Sequence, residues 1–446
     1  MQQQANNQQM LDTLVNNLRS SGLKTKLIFT FAMIALFRLG AQLPIFGINN
    51  EAFMNMAAGN NMIGFLDLFS GGALGKVSIF ALGIGPYITS SIIMQLLAVI
   101  IPYLEKLQKE DGEAGRRKIQ QLTRQFTVVL ALFQSFVFVT ILSKLPQTIT
   151  FQGPHFLFFL GSMAALTAGS VFVMWLAELI TEKGVGNGGS LIIFIGIISG
   201  IPLYVKNTKT ILSDSALILP FLILMAVFIA TIVFIIVFHD AVRKVPIVSA
   251  RRQVGNKVYG GANTNIPFKL NPGGVMPIIF AVAILLFPAT ILSFLQQLST
   301  KEGVLRTVLE QVSYHLSPSS PAYYVIYFLL IVALTFFYAS IIPSMQPKEI
   351  ANNLKKYGSA IPGVKPGKPT ADKLDEILSR TIFIGAVSLG IIALVPTLAS
   401  KLTNITTLQG LGATSLIIMV GVALDFINQI KTHLYAKNYE SFLKQQ

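Results

Sequence analysis

The sequence contains no cysteine. Disulfides and thiolate-held metal or iron–sulfur sites are therefore excluded. Charge is scarce as well: Asp, Glu, Lys and Arg make up 12% of the 446 residues, while 53% are hydrophobic. Soluble domains carry about 25% charged residues. A chain with half that share cannot cover so much apolar side chain with a polar surface. Four histidines are present, His155, His239, His315 and His433, and none stands at metal-ligand spacing from another. No metal centre or other cofactor is expected. Nucleotide loops are missing too. GVKPGKPT lacks a glycine at the upstream position and has Pro369 after Lys368, and in GGALGKVS the upstream position is Ser70. No GxSxG, HExxH or paired intramembrane Asp motif offers a catalytic centre, so an enzyme is not expected.

What the chain has is apolar blocks of about 20 residues, the length that spans a hydrocarbon core. Ten are legible: 25–43, 77–101, 126–145, 156–179, 190–205, 216–239, 274–295, 323–342, 381–398 and 413–430. The polar segment 1–24 lacks the apolar core and cleavage site of a signal peptide and is expected to be retained. With the N-terminus inside, about 26 of the 34 Lys and Arg fall in cytoplasmic segments, about 7 fall outside, and Arg38 lies within a span. This asymmetry predicts ten spans with both termini, including the tail 431–446, in the cytoplasm.

Two cytoplasmic loops, 239–273 and 343–380, are long and basic. In the first, the stretches 246–248 and 253–259 predict a β-hairpin. In the second, the Pro and Gly residues between Gly358 and Gly367 forbid a continuous helix. Such loops serve topology and attract lipid headgroups. They also suit docking of a large soluble partner or a polyanion.

Ionisable residues inside the blocks are few: Arg38, Glu178 and Asp425. No block carries a proton relay, and each of the three is expected to bind backbone carbonyls or a neighbouring helix. The run GVGNGG at 184–189 satisfies GxGxxG, but a membrane helix rather than a strand precedes it, so no dinucleotide is expected. Segment 65–75, FLDLFSGGALG, is amphipathic, too short to cross and broken by glycines. A half-length helix at membrane depth must be sheltered in protein or line a cavity.

At these residues the sequence resembles the SecY/Sec61-alpha family, the central subunit of the protein-conducting channel. FSGGALGKVSIFALGIGPYITSSIIMQLL (69–97) and MWLAELITEKGVGNGGSLIIF (174–194) are similar to its two signatures. Likeness extends to GRRK (115–118), LNPGGVMPIIFA (270–281), LFPATI (286–291) and NNLKKYGSAIPGVKPG (352–367). The second signature contains the GxGxxG run and accounts for it without a nucleotide.

The resemblance implies an all-α polytopic membrane protein of ten helices in two inverted five-helix halves, 25–205 and 216–430, hinged at 206–215 around a central pore. It implies a plug at Phe65, Leu66, Phe69, Ser70, Gly71 and Gly72, and a pore ring of Ile84, Ile88, Ile193, Ile279 and Ile418. A lateral gate between spans 2 and 7 would hold Thr89, Gln134 and Phe287. Interhelical hydrogen bonds from Thr89 and Gln134, about 0.6 kcal/mol each, would tune that seam. The loops that carry Arg251, Arg252, Lys355, Lys356 and Lys365 match those with which the family contacts the ribosome or the SecA motor ATPase, which implies the same docking role here. Lys365 stands where many bacterial members have Arg, which keeps the charge and loses the planar fork. Expected partners also include SecE-type and SecG-type small subunits, preprotein signal sequences and lipid, in the bacterial inner membrane. The competing reading is a secondary transporter with inverted repeats. A carrier needs polar chemistry at the midplane, where this sequence places isoleucines.

Overall fold

The computed structural model describes residues 22–50, 53, 67, 70–109, 112–144, 148–212, 215–249, 252–254, 257–259, 263–298, 304–317, 320–342, 345–403 and 413–443. In chain order the elements are α1 (Leu23–Gly40), α2 (Gly85–Ile100), α3 (Pro102–Lys109), α4 (Gly112–Ser143), α5 (His155–Lys183), α6 (Gly188–Leu212) and α7 (Ser215–Asp240). Strands β1 (Val242–Ser249), β2 (Arg252–Val254), β3 (Lys257–Tyr259) and β4 (Asn263–Lys269) follow. Then come α8 (Met276–Leu298), α9 (Val304–His315), α10 (Pro321–Ile341), α11 (Pro347–Lys356), β5 (Ser359–Ala360), α12 (Lys368–Leu402) and α13 (Ala413–Leu443).

Six helices among the described residues are long and apolar enough to cross a membrane: α4, α5, α10 and α12 entire, with most of α7 and α13. The other four expected spans are also helical: α1 carries Lys24, Lys26 and Arg38, α2 has 16 residues, and α6 and α8 are apolar helices of 25 and 23 residues with Pro202 and Pro288 inside them.

The second span departs from the sequence reading. Val77 was its predicted start, but residues 71–84 run in turns and the helix begins at Gly85. Gly83 takes φ 55°, a left-handed conformation that a helix cannot continue through, and Pro86 suits the first turn of a new helix. At its other end α2 meets α3 at a bend of 104°, with Pro102 opening the second piece. Met94, Ala98, Leu104 and Leu107 close the inside of that corner.

The chain divides into two compact units, one of 1–210, 283–319 and 422–446, the other of 211–282 and 320–421. In the first, α4 lies beside α2, α3 and α5, and α5 lies beside α1. In the second, α12 lies beside α7, α10 and α11.

Within the second unit the two basic loops are not independent. β1 pairs antiparallel with β4, Val245 opposite Ile266, and its far end pairs with β5 from the other loop, Val248 opposite Ala360. Side chains alternate across the sheet. Val245 and Phe268, with Ile247 and Ile266, pack on Ala351 and Leu354 of α11, on Ile361, and on Leu374, Leu378 and Ile382 of α12. The expected hairpin is therefore present but different in kind. Its outer strands are β1 and β4, while 253–259 is itself the small hairpin β2–β3.

Candidate functional site

Residues 71–84, entered from the helical Ser70, form a run of turns tied down by hydrogen bonds from the surrounding protein. Asp67 ties the start of the run. Its Oδ1 accepts from Gly75 N at 2.7 Å and from Ser70 Oγ at 3.2 Å, and Ser70 Oγ in turn accepts from Leu74 N at 2.9 Å. Burial raises the Asp67 carboxyl above its ordinary value. Bonds from Gly75, Ser70 and Leu74, and the Lys76 charge, act against that rise. Lys76 Nζ also reaches Gln42 Oε1. Ile45 N donates to Val77 O and Ile79 N to Leu43 O, each at 3.0 Å. Ser170 Oγ on α5 donates to Gly83 O at 3.2 Å. Irregular backbone at membrane depth is tolerable only when it is sealed in this way.

The fit against α5 is close. A Cβ at Gly169 would stand 2.1 Å from Ile79 O, so only glycine lets the helix approach the turns. Leu74, Val77 and Ala81 join Ile45, Phe53, Val139, Leu142 and Leu166 in one apolar cluster beneath the run.

Of the six expected plug residues, Gly71 and Gly72 belong to this run and Ser70 precedes it in helix. Phe65, Leu66 and Phe69 lie outside the described residues. Gly71 and Gly72 have φ 71° and 80° and are turns rather than helix, which corrects the half-helix expectation at those positions.

Of the five isoleucines, Ile84, Ile193, Ile279 and Ile418 are buried and Ile88 is half-buried. Within the first unit, a Cβ at Gly189 would stand 3.6 Å from Ile84 Cδ1, one helical turn before Ile193. Within the second, a Cβ at Gly421 would stand 2.2 Å from Val275 Cγ1, one turn before Ile279 and three residues after Ile418. In the first unit Ile84 meets Gly189 at ordinary van der Waals distance, and in the second the close contact is Val275 on Gly421.

The gate residues behave differently from expectation. Thr89 Oγ1 donates to Gly85 O of its own helix at 3.1 Å, so its proton is not available for a bond across the seam. A threonine in a helix has a carbonyl four residues back within reach, and that local bond wins. Gln134 and Phe287 are half-buried, and Phe287 O accepts from Thr290 Oγ1 at 2.8 Å.

The GxGxxG run joins α5 to α6, and its amides are already taken. Val185 N donates to Thr30 Oγ1, Gly186 N to Gln429 Oε1 and Gly188 N to Thr181 Oγ1, at 2.8–3.0 Å. Ser190 N donates to Asn187 Oδ1 at 3.1 Å. A pyrophosphate would need those donors free.

Glu178 accepts from Arg124 Nε, 2.8 Å away at Oε2, and from Gln120 Nε2 at 3.3 Å, which joins α4 to α5. Arg38 donates to Gly71 O at 2.7 Å. The sequence flagged both charges as bound to backbone or to a neighbouring helix. It offered no signal for Ser199, which also donates to Gly71 O, at 3.2 Å.

Among the expected docking cations, Lys355 and Lys356 end α11 and Lys365 follows in the turn, all exposed. Arg252 opens β2, and Arg251 lies outside the described residues. Lys355, Lys356 and Lys365 flank β5, the strand that ties their loop to the other.

Comparison with known proteins places this architecture. The family model described as SecY matches residues 78–427. The protein translocase subunit SecY of Synechococcus elongatus is 45% identical over 442 residues, 97% of each chain. The chain is similar in fold to the solved SecY whose plug domain is described as stabilising the closed state of the translocation channel and maintaining a membrane seal. The TM-score is 0.66 at 17% identity, over 92% of each chain. It is also similar in fold to Sec61 in the canine ribosome–channel complex from the endoplasmic reticulum, with TM-score 0.63 at 16% identity over 92% of each chain. Identity of this extent across nearly the whole of both chains, with the signature turns and helices in place, means that the chain belongs to the SecY family.

Proposed function

We propose that this chain is the central channel-forming subunit of a protein translocase. It would conduct unfolded preproteins across the bacterial inner membrane and release hydrophobic segments sideways into lipid, with both termini in the cytoplasm. The observation that carries the reading is 45% identity to a translocase subunit over 97% of both chains.

The physics fits. A passing chain carries charges and bare peptide groups, and moving them through lipid costs several kcal/mol per group. A water-filled path removes that cost, and a thin ring of branched apolar side chains closes it by dewetting without gripping the substrate. Ile84, Ile88, Ile193, Ile279 and Ile418 are proposed as that ring, and the segment at Ser70, Gly71 and Gly72 as the plug beyond it. α2 and α8, carrying Thr89 and Phe287, are proposed as the gate, with Gln134 beside it. Energy would come from a SecA-type motor or a translating ribosome docked on the basic loops, and SecE-type and SecG-type subunits would complete the complex.

The test is resting conductance. Ile88→Asn combined with Ile279→Asn should raise ion conductance of the idle complex in planar bilayers and relax the need for a strong signal sequence. Unchanged conductance would overturn the ring assignment.

A further inference from the structure

One carbonyl in the turn run receives an unusual pair of donors. Gly71 O accepts from the Arg38 guanidinium at 2.7 Å and from Ser199 Oγ at 3.2 Å. The donors come from α1 and α6, 33 and 128 residues away in sequence. Gly71 is itself buried, with φ 71°. A Cβ there would stand 2.9 Å from Gly196 Cα and 3.3 Å from the Arg38 guanidinium, so the turn is seated directly on α6. Arg38 occupies the last turn of α1, where a cation complements the helix dipole. That alone does not account for its geometry, because the short bond leaves the helix and goes to the turn.

We propose that Arg38 and Ser199 form a two-donor latch on the Gly71 carbonyl that holds the plug in its closed position. This rests on reading residues 70–75 as part of the plug. Arg38 and Ser199 are positioning residues: they touch the closure, not the preprotein. The cost of opening follows from the same geometry. Displacing the turn strips a half-buried guanidinium of its acceptor, and hydrogen bonds to charged groups are the strong ones. Ser199 has one hydroxyl proton, shared between Gly71 O and the nearer Gly196 O at 2.7 Å, so it gives up less when the turn departs. Arg38 therefore bears most of the latch, while Ser199 holds the carbonyl when Arg38 is missing.

The test uses the complete complex with its small subunits in planar bilayers, comparing Arg38→Met, Ser199→Ala, the double variant, Gly71→Ala and a deletion of residues 65–75. Each single donor variant should raise resting conductance a few-fold. The double should raise it roughly tenfold or more and beyond the product of the singles, because either donor alone still satisfies the shared carbonyl. Gly71→Ala should leak with both donors intact. Export of a preprotein with a weakened signal should increase in the double variant, a gain that a misfolded channel cannot produce. If the deletion leaks while the double variant is as tight as the unaltered complex, or no leakier than the product of its singles, the latch is overturned and the plug reading stands. If the deletion itself neither leaks nor relaxes signal dependence, the plug reading fails and the latch with it.

Discussion

At the scale of single residues, polar atoms settle more than apolar ones. Glu178 is nearly buried and serves both Arg124 and Gln120. Replacing it by Ala removes both bonds, but Arg124 and Gln120 are exposed and water takes the acceptor's place, so the cost is about 1 kcal/mol or less. Glu178→Ala should lower the temperature at which the purified complex loses its monodisperse elution on size exclusion, while Glu113→Ala should not. Glu113 pairs with Arg117 on the helix surface, where both side chains are about four-fifths exposed and solvent screens the pair. Gly169 gives a steric counterpart. Gly169→Ala puts a methyl 2.1 Å from Ile79 O, and the forced movement costs about 1–3 kcal/mol by overpacking. The same elution assay should report a drop, and resting conductance should rise because the turns proposed as the plug lose their backing.

At the scale of elements, the two basic loops behave as one folded lobe. Leu374 is fully buried among strand, loop and helix residues. Leu374→Ala should cost about 2–5 kcal/mol locally. It should expose 239–273 and 343–380 to protease together rather than one at a time, with resting conductance unchanged. Cleavage of one loop alone would contradict the shared core. Reversing Arg252 and Lys365 to Glu should instead cripple translocation while leaving protease resistance and resting conductance as they were. Normal translocation in that variant would reject the docking role.

The span boundaries belong to this scale too. The α12 block was predicted from Thr381, but the helix begins at Lys368. Hydropathy marks only the part of a helix that meets lipid. The N-terminal turns of α12 bury Leu374 and Leu378 against the lobe instead, and a polar stretch containing two leucines does not read as a span.

At the scale of the whole molecule, the arrangement of charge around the bilayer is testable without any structure. Reporter fusions after Gln446 and within 301–320 should lie on opposite sides of the membrane, and a common side would reject the ten-span topology. The absence of native cysteine makes the gate accessible in the same way. Thr89→Cys and Phe287→Cys should crosslink in the resting complex, directly or through a short bifunctional reagent. A short link should block translocation, because parting two helices requires about 10 Å. A long flexible link should be tolerated. A pair that never crosslinks would move the seam elsewhere on α2 and α8.

Composition alone determined that the chain lives in lipid and, to within a turn or two of helix at most boundaries, where its apolar blocks fall. Those properties depend on solvation of each segment separately, and solvation is written locally in the residues. The tertiary structure decided what the irregular pieces do. Nothing near Gly71 in sequence announces Arg38 or Ser199, and nothing in 359–360 announces a strand partner in 248–249. Thr89, read as a seam residue, is satisfied by its own helix, while the amides of the GxGxxG run are taken by Thr30, Thr181 and Gln429. A hydrogen bond needs its two atoms within about 3 Å. Which residues meet at that distance is set by how helices approach one another, and glycine permits those approaches without naming the neighbour it admits.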